Sequence, residues 1–304
     1  MEGQAAALGA GTVLNALATG TGAAFGVDVE TRATVELAPD AEGVTGTVAE
    51  DPAADTELIE RCVALATDRW GDGEGGTVRT DSDVPLAAGL KSSSAAANAA
   101  VLATCDALGL AVDDDRQASS GGSDPGRATV TRLEACRLGV RAAREAGVTV
   151  TGAFDDATAS MLGGVTLTDN REDALRRREP VDWDVVVWTP PERVYSADAD
   201  VTRCEAVAPM ADLVADLAVD GRYAEAMTVN GLAFSAALGF DADPAVEAMS
   251  NATGVSLSGT GPSVVAVSEP ADPDADLDAV ADAWSGRPGD LLRTTTRNDG
   301  ATVE

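Results

Sequence analysis

The sequence predicts an α+β fold of two domains. Segments with apolar residues at every second position, which are typical of strands, occur in both halves of the chain beside segments with apolar residues at helical spacing. Their order is that of an α+β protein. A boundary near residue 163 divides the 304 residues into two halves of ordinary domain size, so we expect domains at 1–162 and 163–304.

The composition excludes several classes of protein. Hydrophobic residues make up 45% of the chain and aromatic residues only 3%, so the core must consist mostly of Val, Leu and Ala, and the chain is too hydrophobic to be disordered. The formal net charge of −30 argues against nucleic acid as a partner. We interpret this charge as adaptation to a salt-rich cytoplasm, where screening weakens the repulsion between like charges.

The chain contains no histidine, which excludes Ser-His-Asp triads, Cys-His pairs and histidine metal sites. A general base must therefore be a carboxylate, a lysine, a tyrosine or a cysteine. The four cysteines are far apart and are expected to be reduced. Neither a signal-peptide pattern nor an apolar run of about 20 residues is present, so we expect a soluble, cytoplasmic protein without a membrane partner.

The N-terminal half begins with β-structure. Residues 3–26 are rich in Gly, Ala and Thr and form either a flexible tail or, as the interspersed apolar residues favour, a packed segment. Alternation predicts a strand over 27–37, with 44–48 as its hairpin partner. A helix capped by Asp55 runs to Gly71, and a short strand follows at 77–80.

Further elements follow to the C-terminus. We expect a helix ending near Leu108, a mobile excursion over 113–126 and a helix from 128 to 145 that ends at Gly147. In the second half, Val165–Thr168 and Asp184–Thr189 are predicted strands that a polar turn separates. The remaining predictions are three helices within 205–251, two strands within 255–267, a helix at 276–284 and a strand at 291–296.

The loop from Pro85 to Asn98 organises the chain. It leads through three serines into an Ala-rich helix, and free N–H groups at a helix N-terminus suit a polyphosphate. Lys91 is the only lysine, although lysine and arginine together number 21. An ammonium is a compact charge that fits against phosphate oxygens, whereas a guanidinium is a wide fork. The alternative is an ordinary N-capped helix with one chance lysine.

Two more loops are unusual. Asp155 and Asp156 follow a glycine turn, which is typical either of a plain helix start or of a pair of catalytic carboxylates. Ser258–Ser263 contains a Gly-Thr-Gly turn between two apolar strands. This turn is either a tight hairpin or a second phosphate-facing backbone surface.

Together the three loops resemble the motifs of the GHMP kinases, which phosphorylate small molecules such as galactose, homoserine and mevalonate. The family motif P-x-x-x-G-L-G-S-S-A-A corresponds to Pro85–Ala95, with Lys91 where glycine is usual. A G-x-D-[ND]-A-like motif corresponds to 152–157, and the glycine-rich turn corresponds to 258–263. Within the family, the sequence is most similar to the archaeal type of shikimate kinase, in the loops at 15–26, 89–95 and 151–157.

The resemblance implies a fold and a mechanism. The N-terminal domain would be like domain 2 of ribosomal protein S5, the C-terminal domain ferredoxin-like, and ATP, Mg²⁺ and shikimate would meet in the cleft between them. Lys91 would neutralise the transferred phosphoryl group, and Asp155, or alternatively Asp156, would accept the hydroxyl proton. Ser93 would contact Mg²⁺ or the β-phosphate, and substrate would meet Asn15, Thr19, Gly20 and Asp155. The implied ATP-binding residues are Pro85, Leu86, Ala87, Ala88, Gly89, Leu90, Lys91, Ser92, Ser93, Ser94, Ala95, Gly259, Thr260 and Gly261.

Two alternatives remain open at this stage. One is a homoserine kinase or another kinase of the same family, and the other is a catalytically silent sensor that binds a nucleotide or metabolite. Lys91 in place of glycine disfavours homoserine as substrate, and intact Lys91, Ser93 and Asp155 disfavour the sensor. The chain departs from the family in having no cation before Arg32 and only Glu145 as a loose match to a metal-binding glutamate.

Overall fold

The computed structural model describes residues 1–84, 89–113, 128–149, 151–192 and 200–304. Its strands are β1 (Glu2–Leu14), β2 (Thr21–Ala38), β3 (Val44–Val48), β4 (Gly75–Ser82), β5 (Ala111–Asp113), β6 (Thr129–Thr131), β7 (Val165–Asp169), β8 (Ala174–Glu179), β9 (Asp184–Thr189), β10 (Gly254–Leu257), β11 (Val264–Ser268), β12 (Asp290–Thr295) and β13 (Thr302–Val303). Its helices are α1 (Glu57–Trp70), α2 (Ser92–Ala107), α3 (Arg132–Glu145), α4 (Phe154–Leu162), α5 (Val201–Glu205), α6 (Ala208–Val219), α7 (Tyr223–Leu238), α8 (Asp243–Ala248) and α9 (Leu277–Ser285).

A long antiparallel pair, β1 and β2, forms the centre of a seven-stranded sheet. The Gly- and Ala-rich segment at 3–26 is therefore packed and is not a tail. Its small residues are needed because α2 crosses β1 closely, and a Cβ on Gly3 would overlap the carbonyl oxygen of Ala103. Close backbone approach of this kind is what glycine permits in a strand.

The predicted hairpin of β2 with 44–48 is wrong. Strand β3 pairs in parallel with β4, in the register Val44↔Gly76. Both edges of β2 are already occupied, because Thr31–Ala38 pairs with β4 on one side while the same strand pairs with β1 on the other. Helix α1 then provides the crossover that a parallel β3–β4 connection requires.

Two further boundaries differ from the prediction. Helix α3 begins at Arg132 and not at 128, because Thr129–Thr131 forms β6 beside β5, and Thr131 then closes a capping box with Glu134. The segment between β7 and β9, which was predicted to be a polar turn, contains β8. This strand pairs with β7 in spite of its charged residues. The excursion predicted over 113–126 lies, from residue 114 onwards, outside the described residues.

The second sheet has the order β10-β11-β9-β12 and carries α7, α8 and α9, whereas α6 packs against α7 and contacts β1 and β2 of the first sheet. The helices predicted within 205–251 are confirmed as α6, α7 and α8, and the short α5 precedes them. Strands β7, β8 and β13 pair in the first sheet, although all three follow residue 163 in the sequence. One hydrophobic core joins the two sheets. Within it the rings of Phe25 and Trp183 pack edge to face, with their centroids 5.3 Å apart.

The four cysteines are free and buried, as expected. Burial raises the pKa of the Cys105 thiol to about 12, so this side chain behaves as a small apolar group. In the portion of the chain described, no helix has the length and apolar character to traverse a bilayer.

Candidate functional site

Helix α2 begins with an unusual residue at its N-cap. Lys91 has a left-handed backbone, with φ of +65°, and no side chain caps the helix. A left-handed conformation costs a residue with a Cβ about 1 kcal/mol or more, whereas glycine adopts it readily. Strain of this kind persists where the surrounding structure enforces it, often at functional sites. The uncapped N–H groups of the first turn leave an anion-binding position.

Helix α4 begins in the same way. Its N-cap, Ala153, also has positive φ, at +49°, and its own side chain cannot cap the helix; Asn170 Oδ1 instead accepts from the first-turn N–H of Asp155 at 3.1 Å. Asp155 and Asp156 lie in its first turn, where the helix dipole stabilises negative charge. Residues from the starts of both helices line one cleft, so two helix N-termini border the same space.

An ion pair joins the two helix starts. Lys91 Nζ lies 2.9 Å from Asp156 Oδ1, and the lysine side chain is only 6% exposed. The glycine-rich loop also lies against this ammonium group. A Cβ added at Gly259 would lie only 2.6 Å from Lys91 Nζ. The three loops that the sequence singled out therefore meet at one ammonium group.

Asp155 is the more buried of the two carboxylates. Its Oδ1 accepts a hydrogen bond of 2.7 Å from Asn170 Nδ2, and a Cβ on Gly22 would overlap its Oδ2. Burial raises the pKa of Asp155 to about 7, and the adjacent Asp156 carboxylate adds to the rise, while Lys91 and the hydrogen bond from Asn170 oppose it. A carboxylate with such a pKa can accept a proton near neutral pH.

Hydrogen bonds to β1, to the residue that follows it and to the loop before α2 hold the glycine-rich loop in place. Ser258 donates to the carbonyl oxygen of Gly89 at 2.7 Å, and the N–H of Gly259 donates to Thr12 Oγ1 at 2.7 Å. Asn15 Nδ2 donates to the Gly259 carbonyl oxygen at 2.7 Å. The side chain of Asn15, predicted to bind substrate, thus supports the loop from within the cleft wall.

The cleft has a volume of about 790 Å³. Ten predicted site residues line it: Asn15, Gly89, Lys91, Ser92, Ser93, Asp155, Asp156, Gly259, Thr260 and Gly261. Five do not: Thr19, Gly20, Leu90, Ser94 and Ala95. Leu90 and Ala95 are core residues, and Gly20 contacts Asn170 through its carbonyl oxygen. Pro85, Leu86, Ala87 and Ala88 lie outside the described residues.

Comparison with known proteins decides the family. The sequence matches the GHMP kinases N terminal domain over residues 57–123 and the GHMP kinases C terminal domain over 222–286. A shikimate kinase of Halobacterium salinarum is 59% identical over 301 residues, which cover 99% of each chain. A shikimate kinase of Methanosarcina mazei is 47% identical over 304 residues, covering 99% of this chain and 96% of its own.

The chain belongs to the GHMP kinase family. Solved structures of this family share the fold. Homoserine kinase from Cytophaga hutchinsonii superposes with a TM-score of 0.70 at 18% identity, covering 100% of this chain and 97% of its own. Mevalonate kinase from Methanococcus jannaschii also has a TM-score of 0.70, at 11% identity and 98% coverage of both chains. The two-domain GHMP kinase fold expected from the motifs is thereby confirmed.

The sequence did not point to several residues of the site of this GHMP kinase. Asn170 follows strand β7, and asparagine after a strand is ordinary turn chemistry, so only the structure places it beside Asp155. Val48, Leu58, Ile59 and Val148 form an apolar part of the cleft wall, and nothing in their sequence context distinguished them from ordinary strand or helix residues. Glu145, the loose match to a metal-binding glutamate, does not line the cleft. It pairs with Arg141 at 2.7 Å and with Arg61 at 3.5 Å.

The site suits a metal ion that arrives with its substrate. Within the described ranges, no group of three or more acidic or cysteine side chains could hold a metal ion alone. Mg²⁺ usually takes one or two protein ligands and completes its shell with water and substrate phosphates. The Ser93 hydroxyl, which lines the cleft at the start of α2, is a donor of this kind.

Proposed function

We propose that this protein is a shikimate kinase, which transfers the γ-phosphoryl group of ATP to the 3-hydroxyl of shikimate. The observation that carries the proposal is the Lys91 ammonium, buried where two helix N-termini and a glycine-rich loop meet and 2.9 Å from Asp156. A preorganised cation among free N–H groups is what phosphoryl transfer needs, because its catalysis is mainly positioning and electrostatics. The relatives named shikimate kinase support the choice of acceptor.

The phosphates of ATP bind at the start of α2. The first-turn N–H groups and the Gly259–Gly261 backbone face the cleft, and Lys91 lies between them. Lys91 is the only cationic side chain among the described residues that line the cleft, so it is the natural partner of the transferred phosphate. Ser93 would hold Mg²⁺, which would supply further charge neutralisation at the phosphates.

Asp155 acts on the acceptor hydroxyl. It takes the hydroxyl proton as the oxygen bonds to the γ-phosphorus, while the bond from that phosphorus to the bridging oxygen breaks and ADP leaves. The buried position of Asp155 and its pKa of about 7 suit a general base. Asp156 has a different role, because it orients Lys91.

The apolar part of the cleft accommodates the nucleoside base. Val48, Leu58, Ile59 and Val148 line it, and side chains of this kind bury a flat heterocycle. The phosphate loop and Asp155 belong to the proposed domain 1–162, whereas Gly259–Gly261 belongs to 163–304. The cleft of this proposal therefore lies between the two.

The net charge of −30 also bears on where the enzyme works and what it binds. We assign it to a salt-rich cytoplasm, where salt screens this charge. We assign it small-molecule partners and no nucleic acid, because so negative a protein repels the phosphate backbone of a nucleic acid.

A coupled ADP-release assay in molar KCl, with shikimate, homoserine and mevalonate side by side, tests the assignment. We expect turnover with shikimate alone. Equal rates with homoserine would favour a broader kinase, and ATP binding without turnover of any acceptor would favour a sensor.

A further inference from the structure

Asn170 forms hydrogen bonds with both the backbone and the side chain of Asp155. This asparagine is 2% exposed and follows the last residue of β7. Its Oδ1 accepts from the backbone N–H of Asp155 at 3.1 Å, and its Nδ2 donates to Asp155 Oδ1 at 2.7 Å. One amide thus binds both the main chain and the carboxylate of the same residue.

The orientation of this amide is fixed. A backbone N–H can only donate, so the Asn170 oxygen must face it and the NH₂ group must face the carboxylate. Thr168 strengthens this arrangement, because its hydroxyl donates to Asn170 Oδ1 at 2.8 Å. Thr168 is itself fully buried.

The backbone of Asn170 is also anchored. Arg144 Nη2 donates to the Asn170 carbonyl oxygen at 3.2 Å and to that of Thr151 at 3.3 Å, while Asp173 binds the same guanidinium. The N–H of Asn170 donates to the Gly20 carbonyl oxygen at 2.8 Å. These contacts connect the start of α4, the end of α3 and the turn before β2 through one residue.

We infer that Asn170 is a positioning residue, whose amide holds the Asp155 carboxylate in the orientation that faces the acceptor hydroxyl. The inference rests on the proposed function of Asp155. Any titration of Asp155 also depends on the charged groups around it, which are Asp156 on α4, Lys91 at the start of α2, Arg144 of α3 with its partner Asp173, and Arg171 beside Gly20.

The variant Asn170→Ala tests this role. Because the hydrogen bond from Asn170 stabilises the charged carboxylate, its removal should move the titration of Asp155 upward by about one pH unit. The acid limb of the kcat profile should move with it, and kcat should fall more than KM changes. Thr168→Val removes the hydrogen bond to Asn170 Oδ1 and so holds the amide less firmly while both of its contacts to Asp155 remain; it should cause a smaller shift in the same direction.

Asn98→Ala is the matched control. Asn98 is also a buried asparagine that holds α4, through a hydrogen bond of 2.9 Å to the Ala157 carbonyl oxygen, but it does not contact Asp155. Its removal should lower the free energy of unfolding without moving the acid limb.

Carboxyl NMR of ¹³C-labelled aspartate gives a second readout that needs no turnover. If the Asp155 titration is the same in wild type, Asn170→Ala and Thr168→Val, the inference is wrong. Should Asn170→Ala fail to fold, Thr168→Val decides alone. If the titration shifts as expected but shikimate is not phosphorylated, the positioning role stands and the proposed function fails.

Discussion

The Lys91 ammonium lies 2.9 Å from the Asp156 carboxylate, although the two residues stand 65 positions apart at the starts of different helices. This pair distinguishes the two adjacent aspartates. Asp156 is bound to the cation, whereas Asp155 is bound to Asn170 and nearly excluded from solvent. The geometry therefore favours Asp155 as the group that acts on the acceptor.

Removing the ammonium should abolish most of the activity. We expect Lys91→Ala to lower kcat by about 10² to 10³, the usual scale for one preorganised charge donor. Lys91→Arg should recover little, because a planar guanidinium cannot take the place of a point charge between Asp156 and Gly259. Steady-state kinetics measure both variants. Near-normal rates in Lys91→Ala would show that Lys91 has no role in catalysis and is an ordinary residue at a helix start.

The backbone at Lys91 allows a separate test on stability. Lys91→Gly and Lys91→Ala both lack the ammonium, so they should be equally inactive. Since φ is +65°, the glycine variant should be more stable than the alanine variant by about 1 kcal/mol. Urea denaturation measures the difference, and equal stabilities would mean that the backbone at this position is not strained.

The sequence alone identified the three loops that border the cleft. Residue types with strong local meaning, namely the solitary Lys91, the Asp155–Asp156 pair and Gly259–Gly261, marked three helix or strand termini correctly. The sequence predicted the strand at 44–48 but not its partner, because the pairing of β3 with β4 depends on which sheet edges remain free and not on alternation.

The supporting residues could not be predicted for a related reason. Asn170 contacts Asp155 from a different element 15 positions later, and Thr12 contacts Gly259 across 247 positions; neither occurs in an unusual local pattern. Asn15 was predicted to bind substrate from the family resemblance; it lines the cleft, and its amide also donates to the Gly259 carbonyl oxygen, a contact that the sequence does not indicate. Which residues support a loop depends on tertiary packing.

Burial of Asp155 should make stability depend on pH. Its pKa is about 7 in the folded chain and near 3.9 in an unfolded one, so the folded state binds more protons between these values. This group therefore lowers the free energy of unfolding as the pH rises from about 4 to about 7. Asp155→Asn should be more stable than wild type at pH 8, on the order of a few kcal/mol, and this gain should shrink toward pH 5.

Asp169→Asn provides a control of opposite sign. A hydrogen bond from the Arg176 guanidinium lowers the pKa of Asp169, so the favourable contribution of this carboxylate is present above pH 4 and is lost below it. Its removal should reduce stability slightly at pH 8. Denaturation curves at several pH values measure both variants, and a pH-independent gain in Asp155→Asn would contradict the assigned burial cost.

Position 22, beside the Asp155 carboxylate, should tolerate only glycine. A Cβ on Gly22 would overlap the Asp155 carboxylate, so Gly22→Ala should displace it and lower kcat by about 10² or more. Gly286→Ala is the control, because its nearest neighbour would lie 3.7 Å from the new Cβ, far from the cleft. If Gly22→Ala retains full activity, Asp155 does not need its observed position.

Dilute buffer should destabilise the fold. At a net charge of −30, repulsion among the acidic side chains is screened over about 3 Å at 1 M salt but extends to about 30 Å at 0.01 M. We expect the far-UV circular dichroism of the helices to be lost between molar and millimolar KCl. An unchanged spectrum would show that the acidic composition does not limit stability.

The most direct test of the central claim follows the phosphoryl group itself. With γ-³²P-labelled ATP, Mg²⁺ and shikimate in molar KCl, the wild-type chain should transfer label to shikimate, and Asp155→Asn should transfer at least about 10² times more slowly while still binding ATP. No labelled shikimate phosphate from the wild type, or equal transfer by Asp155→Asn, would contradict the account.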